Sequence, residues 1–334
     1  MAGSNSVWIV LQQREGKLQR MSREAIAAGR RIAEATGGRA EAVLLGSGIG
    51  DLAREVAGYD LAAVHVADAP ALAEYTPGAY VGALAPAIRE AAPAFVVFPH
   101  TYQTVDYFAR LAQETGAGLL PEVTGFEEAD GGLLWQRPVL GGKLRSKVRV
   151  KGEGTVLVSV QSGAFPAGET ELISGGGSVE VRDLAADLSG LRPDREILEL
   201  EEVAGDTVDL SKADVIVAVG RGIGGADKMG PVEELARALG AEIGASRPVI
   251  DNEWLPRDRQ IGSSGQTVAP KLYLALAISG AIQHTVGMKG AATVVAVNKD
   301  RNAPIFALAD YGVVADVHEF LPAFTAAVKE AKGG

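Results

Sequence analysis

Between Pro270 and Asp300 the chain reads PKLYLALAISGAIQHTVGMKGAATVVAVNKD, an apolar run broken by polar groups capable of directed hydrogen bonds. Ser279, Gln283, His284 and Asn298 stand among small and aliphatic residues, and Gly280 and Gly287 let a backbone come close to a ligand. A few directed polar groups in an otherwise apolar wall is the composition of a small-molecule site. Ser279 at the N-cap of a helix would leave free amides aimed at an anion. Gln283 and His284, adjacent on that helix, point in different directions and would engage different parts of one ligand. A lone histidine is more often structural, and no Gly-x-Ser-x-Gly elbow gives it a nucleophile to activate.

Upstream, Gly220-Arg221-Gly222-Ile223-Gly224-Gly225 follows an apolar strand pattern and precedes a helical one. The spacing is that of Gly-x-Gly-x-x-Gly, in which glycines bring a loop against phosphate at a helix N-terminus. The acid expected about 20 residues later to hold a ribose is missing, and Gly244-Ala245-Ser246-Arg247 stands there instead. An arginine at that point suits the extra phosphate of NADP, so an NADP-dependent oxidoreductase using the Gly220–Gly225 loop is the alternative reading. A purely structural glycine turn is the plain one. Arg247 ends a strand and is steered by Pro248, either into the crevice of a parallel sheet or into an ion pair with Asp251 or Glu253. Gln260-Ile261-Gly262-Ser263-Ser264-Gly265-Gln266-Thr267 is a loop rich in hydroxyl and amide groups. Elsewhere, Gly46-Ser47-Gly48-Ile49-Gly50 reads as a structural turn, His100 as a surface or interface residue, and Arg14, Lys17 and Arg20 as solvated.

The elements that must position these groups follow from periodicity. Apolar runs at 7–11, 42–45, 62–66 and 94–98 alternate with helical patterns near 21–36, 51–57, 79–91 and 103–115, which implies a parallel sheet. Segments near 132–137, 144–150, 155–160 and 178–183 read as a small antiparallel addition. Leu188–Asp194, with its Ser, Gly and Pro, is the boundary, giving domains 1–190 and 191–334. The second domain shows strands at 214–219, 242–246, 293–297 and 305–308 and helices at 231–239 and 318–332. The fold class is therefore α/β in two domains: a parallel-sheet domain with a small β addition, then a Rossmann-like domain.

Composition narrows the chemistry. The 334 residues are 47% hydrophobic and 22% charged, enough for two cored domains. A formal net charge of −10 argues against nucleic-acid binding. The absence of cysteine excludes disulfides, thiolate metal sites and iron–sulfur clusters, and the four histidines lack metal-ligand spacing. No signal peptide and no apolar membrane span is read, so the expected location is the bacterial cytoplasm, or the mitochondrial matrix for a processed eukaryotic form.

Taken in order, Gly220-Arg221-Gly222, Ala245-Ser246-Arg247, the Val268–Tyr273 segment, Ser279–His284 with Gly287, Asn298-Lys299-Asp300 and the Ala309–Asp316 segment resemble the alpha subunit of electron-transfer flavoproteins. The resemblance implies an FAD-binding C-terminal domain in a heterodimer with a beta subunit, a redox carrier without substrate chemistry of its own. Its donors would be primary dehydrogenases, notably the acyl-CoA dehydrogenases of fatty acid β-oxidation, and its acceptor a membrane electron-transfer flavoprotein quinone oxidoreductase. By the same resemblance Arg221 would lie against the cofactor's phosphates, Ser246 would make a polar contact, and Arg247 would sit over the flavin ring. Ile261, Gly262, Ser263 and Ser264 would face the ring, with the Ser264 hydroxyl near N5. Ser279, Gly280, Ala281, Ile282, Gln283 and His284 would hold the central part of FAD, with His284 near the O2 edge. Asn298 and Asp316 would hold the adenosine half. Where the family often has Gln-Thr this chain has Ser263-Ser264, so the second hydroxyl is kept and the reach of the first side chain is lost. Reduction places negative charge near N1 and O2 of the ring. Arg247 and a donating His284 would stabilise it most where water is excluded, tuning a cofactor that carries the chemistry itself.

Overall fold

The computed structural model describes residues 4–130, 132–140, 144–167, 172–173, 179–199, 208–262 and 264–332. The chain divides into two compact units, one of Met1–Pro138 with Arg145–Leu200 and the other of Val139–Leu144 with Glu201–Gly334.

The first unit runs β1 (Ser4–Leu11), a short hairpin β2 (Gln13–Arg14) and β3 (Lys17–Leu18), α1 (Arg20–Thr36), β4 (Arg39–Gly46), α2 (Gly50–Val56), β5 (Ala63–Asp68), α3 (Pro77–Ala91), β6 (Pro93–Pro99) and α4 (Tyr102–Thr115). It continues through β7 (Gly118–Val123), β8 (Gly125–Ala129), β9 (Gly132–Val139), β10 (Leu144–Val148), β11 (Val156–Val160) and β12 (Val181–Asp183). Seven strands form one sheet in the order β12-β5-β4-β1-β6-β11-β7. Along β1, Val7, Ile9 and Leu11 join the core beneath α1 and α2, while Trp8 and Val10 join the core beneath α3 and α4. Covering both faces is what makes such strands almost continuously apolar. Thr101 starts α4 by accepting a hydrogen bond from the Thr104 amide at 3.1 Å, and Gly116, at φ +67°, ends it.

The structure departs from the expected antiparallel addition. Only β8, β9 and β10 form a separate three-stranded sheet. β11 lies inside the main sheet, parallel to both β6 and β7, and β12 extends its other edge parallel to β5. Val156–Val160 is buried at every position, as an interior strand of a doubly covered sheet must be. The first unit's own contacts also run past residue 190: Leu191 is buried in its core, and Asp194 accepts from the Gly78 amide at 3.0 Å and pairs with Arg110 at 2.9 Å.

The second unit runs β13 (Val215–Val219), α5 (Gly230–Leu239), β14 (Glu242–Ala245), α6 (Arg247–Asp251), β15 (Leu272–Leu276), α7 (Ile282–Thr285), β16 (Thr293–Asn298), β17 (Tyr311–Val314) and α8 (Val317–Ala331). Its five strands pair in parallel in the order β14-β13-β15-β16-β17. Counted from β13 this is 2-1-3-4-5, a doubly wound order whose direction reverses between β13 and β15, where such sheets bind ligands. Val217, Val219, Leu274 and Leu276 pack beneath α5 and α8. Ile216, Ala218, Tyr273 and Ala275 pack instead against Ile261, Val268, Ile278 and Met288, residues of turns and loops. The predicted strand at 305–308 is a 3₁₀ turn, Pro304–Leu308, and the fifth strand is Tyr311–Val314. Pro304 presets a first helical turn, and the true strand is a short one at the sheet edge.

Candidate functional site

A cleft of about 620 Å³ opens at the C-terminal ends of the strands of the second unit. After β13 it is lined by Gly220, Arg221 and Gly222, and after β14 by Ser246, Arg247 and Pro248. Gln260, Ile261, Gly262 and Ser264 form another wall. Ala277, Ile278, Ser279, Ala281, Gln283 and His284 follow β15, and Asn298 ends β16. Among the described residues two arginines and no carboxylate line it, in a chain of net charge −10. That inversion of sign selects for an anionic ligand. Ala277, Ile278 and Ala281 supply apolar surface, while Ser246, Ser264, Gln283 and Asn298 supply hydrogen-bonding groups.

Glycine brings the walls together. A Cβ on Gly220 would lie 2.1 Å from the Ala277 carbonyl oxygen, so the loop after β13 is seated directly on the end of β15. Gly262 and Gly287 meet backbone to backbone: a Cβ on Gly287 would lie 2.4 Å from the Gly262 nitrogen. The Gly220–Gly225 loop does not lead straight into a helix as its spacing predicts. Arg221–Ile223 and Ala226–Lys228 are single 3₁₀ turns, and α5 begins only at Gly230. Gly220 and Gly222 serve close packing against Ala277 at the end of β15, and the dinucleotide fingerprint is not completed.

His284 is 6% exposed and both of its ring nitrogens are engaged by the protein. Nδ1 lies 3.1 Å from the Ile261 carbonyl oxygen, and Nε2 lies 2.8 Å from the Tyr273 hydroxyl. A carbonyl can only accept, so Nδ1 carries the proton and Nε2 accepts from the phenol. Burial pushes the His284 pKa down to about 4, against a smaller opposing effect of the Ile261 hydrogen bond. The residue lines the cleft as a neutral ring whose N–H is already committed, an arrangement different from the ligand donor that the resemblance implies.

The remaining expected residues fall on both sides of the lining. Arg247 reaches the cleft from the first turn of α6, and its Nε is also 3.3 Å from Asp251, an exposed pair at 69% and 58%. The Ser264 hydroxyl accepts from Gln260 Nε2 at 2.9 Å. Asn298 donates to the Ile278 carbonyl at 2.8 Å, tying β16 to the segment after β15. Gly280 and Ile282 belong to that segment without lining the cleft. At Gly280 (φ +86°) a Cβ would meet the Ile305 backbone at 2.2 Å. Asp316 also lies outside the lining and caps α8 by accepting from the His318 amide at 2.8 Å. Ser279 is not an N-cap, since α7 is a four-residue helix preceded by Ala281. Ser263 lies outside the described residues. Sequence reasoning missed Gln260 as a partner of Ser264 and Tyr273 as a partner of His284. A tyrosine in an otherwise apolar strand was the available signal, because a buried phenol must find a hydrogen-bond partner.

Three first-unit features are also accounted for. The Gly48 and Ile49 amides donate to the Asp68 carboxylate at 2.8 and 3.1 Å, so that loop holds an anion from its own chain. His100 does have an acid nearby, Glu122 at 3.4 Å, and its Nδ1 lies 2.8 Å from the Ser159 hydroxyl. Arg20 is not simply solvated: it reaches Glu24 at 3.5 Å and Ser162 at 3.4 Å. Among the described residues no helix is long and apolar enough to cross a membrane.

Comparison with known proteins converges on the same region. Residues 7–189 match the electron transfer flavoprotein domain, and residues 209–289 match the electron transfer flavoprotein FAD-binding domain. The electron transfer flavoprotein subunit alpha of Thermoanaerobacterium thermosaccharolyticum is 35% identical over 98% of each chain. That of Syntrophomonas wolfei is 36% identical over 99% of this chain and 100% of the relative. The acryloyl-CoA reductase electron transfer subunit beta of Anaerotignum propionicum is 34% identical over 98% of this chain and 96% of the relative. By these matches the chain belongs to the electron transfer flavoprotein alpha-subunit family, electron carriers rather than enzymes, and its second unit carries the FAD-binding domain.

Proposed function

We propose that the cleft at the β13/β15 switch point holds FAD, and that this chain carries electrons as a heterodimer with an electron transfer flavoprotein beta subunit. The observation that carries the site is the lining itself: two arginines, no carboxylate and an apolar floor, inside the residues matched to the FAD-binding domain and the strand that follows. FAD combines an anionic pyrophosphate with a flat ring that is apolar on its faces and polar on its edges, and each part has a counterpart in the wall. When bound, it supplies reversible acceptance of one or two electrons. The chain's own residues bind, orient and shield it.

Arg221 would pair with the pyrophosphate, and Arg247 would place its guanidinium beside the ring system. Ser246, Ser264, Gln283 and Asn298 would hydrogen-bond polar edges. Ala277, Ile278 and Ala281 would exclude water, which strengthens the field of both arginines at the ring. Asp316 acts on this reading as a helix cap that shapes the end of β17 rather than as a direct contact.

The reading extends to partners. Electrons would come from primary dehydrogenases, acyl-CoA dehydrogenases of fatty acid β-oxidation first among them, and pass to a membrane quinone oxidoreductase, with the carrier in the bacterial cytoplasm. The Anaerotignum relative is named for acryloyl-CoA reductase, which supports a flavoenzyme acting on CoA thioesters as the redox partner. The NADP reading of the Gly220–Gly225 loop has no such support, because α5 starts beyond that loop.

The test is the visible absorption spectrum of the chain purified with its co-expressed beta subunit, with mass identification of the released cofactor. Flavin bands and one FAD per heterodimer bound by this chain are expected. A protein that stays colourless after FAD is added overturns the proposal. Bleaching of the flavin by an acyl-CoA dehydrogenase and its substrate, but not by NADPH, separates the carrier reading from the NADP alternative.

A further inference from the structure

Tyr273 does not line the cleft, yet it governs a residue that does. It is the second residue of β15 with its side chain fully buried, between Ile216 of β13 and Val294 of β16 in register. Its hydroxyl is 2.8 Å from His284 Nε2. The opposite ring nitrogen of His284 is 3.1 Å from the Ile261 carbonyl oxygen. Ile261 is held from its other side by its amide, which donates to the Ala245 carbonyl at 2.9 Å. The next residue, Gly262, has φ +138° and room for no side chain, since a Cβ there would lie 2.4 Å from the Gln283 carbonyl oxygen. The Ile261–Gly262 wall is thus fixed at one end by the sheet edge and at the other by the imidazole.

We propose that Tyr273 is a positioning residue for the flavin pocket: its phenol donates to His284 Nε2, which sets the imidazole as the uncharged Nδ1–H form and lets it clamp the Ile261 carbonyl and the Gly262 wall. The proposal rests on the flavin reading of the cleft. Burial keeps the Tyr273 phenol protonated, its pKa raised well above the usual value. Among the described residues the charged groups lining the cleft around His284 are Arg221 and Arg247, with no carboxylate among them. Burial opposes protonation of the ring, so positive charge in the pocket belongs to the arginines. Tyr273→Phe removes the one donor that favours a bare Nε2. Losing that hydrogen bond raises the His284 titration midpoint by about 0.7 pH unit and loosens the clamp.

The experiment is nitrogen-15 NMR of the histidine side chains in the full-length chain, from pH 8.5 to 4, with His284→Asn identifying one of the four histidines. The expected His284 signal above pH 5.5 is a non-titrating Nδ1–H tautomer with a hydrogen-bonded Nε2. In Tyr273→Phe the Nε2 signal moves to that of an unbonded nitrogen, the midpoint rises, and FAD leaves the co-expressed heterodimer several-fold faster. An Nε2–H tautomer, or a wild-type His284 titrating near neutrality, overturns the proposal without any substitution, so it stays decidable even where Tyr273→Phe fails to fold. Unchanged His284 signals and FAD release in a folded Tyr273→Phe overturn it equally. A chain that takes up no FAD overturns the flavin reading instead, and the tautomer is still read from the same spectra.

Discussion

Gly287→Ala adds a single methyl group where two backbones already touch. The new Cβ would lie 2.4 Å from the Gly262 nitrogen, 2.6 Å from the Gly262 Cα and 3.0 Å from the Gln266 carbonyl oxygen. No flexible side chain among these neighbours can swing away. Ordinary contact begins near 3.4 Å, so the segments must part by about 1 Å. That motion stretches the His284–Ile261 contact from 3.1 Å to beyond hydrogen-bond range and disturbs the Gly262 amide bond to Gln266, now 3.2 Å. Overpacking of this kind costs about 1–3 kcal/mol, and the buried hydrogen bond adds roughly 1. A total of about 2–4 kcal/mol corresponds to a fall in melting temperature of roughly 6–15 °C for a unit of this size. The wall that moves is the cleft wall, so FAD should be released at a correspondingly lower temperature. Flavin fluorescence on heating reads both events. Gly230→Ala is the control: it has no atom within 4 Å of the added Cβ and starts α5, so its melting should be unchanged or slightly raised. A Gly287→Ala protein that melts and retains FAD like wild type would refute the claim that glycine-to-glycine contact builds this wall.

Arg221→Ala should weaken FAD binding about tenfold by removing a charge-assisted contact to phosphate, and the gap from wild type should narrow at high salt. An equal loss at all ionic strengths would place Arg221 elsewhere in the energetics. Arg247→Ala should leave stability within about 0.5 kcal/mol, because its pair with Asp251 is solvent-exposed, while lowering the midpoint potential of the bound flavin. An unchanged potential removes Arg247 from the tuning of the ring. An unfolded histidine takes up its proton near 6.5, whereas folded His284 resists until about 4. Acid therefore favours the unfolded chain at this site. The contribution is complete above pH 6.5 and shrinks as pH falls, by about 2 kcal/mol at pH 5. Urea midpoints of wild type and His284→Asn should accordingly converge between pH 7 and 5, and parallel curves would contradict the neutral, buried ring.

Much of this was legible in the residues because burial and period leave direct marks. Val215–Val219 and Thr293–Asn298 are apolar runs that can only be interior strands, and Pro231 marks a helix start. The polar residues around Ser279–His284 announced a site because such groups are out of place in core. What was not legible depended on contacts distant in sequence. Val156–Val160 resembles its antiparallel neighbours locally, and its insertion between β6 and β7 is a property of the whole sheet. Gly220–Gly225 satisfies a spacing rule, yet the function of Gly220 is set by Ala277. The ring nitrogens of His284 are engaged by Tyr273 and Ile261, eleven and twenty-three residues away, so no local pattern could have separated a donor to ligand from a clamp on the wall.

The central claim, that FAD lies in the second-unit cleft against the Arg221 and Arg247 loops, is tested most directly by amide hydrogen exchange on the co-expressed heterodimer before and after removal of its flavin. Protection on FAD binding should fall on the peptides spanning 220–224, 246–249, 260–266 and 277–284, the walls of the cleft. Protection that leaves these segments unchanged and appears instead in the first unit, or only in the beta subunit, would contradict the account.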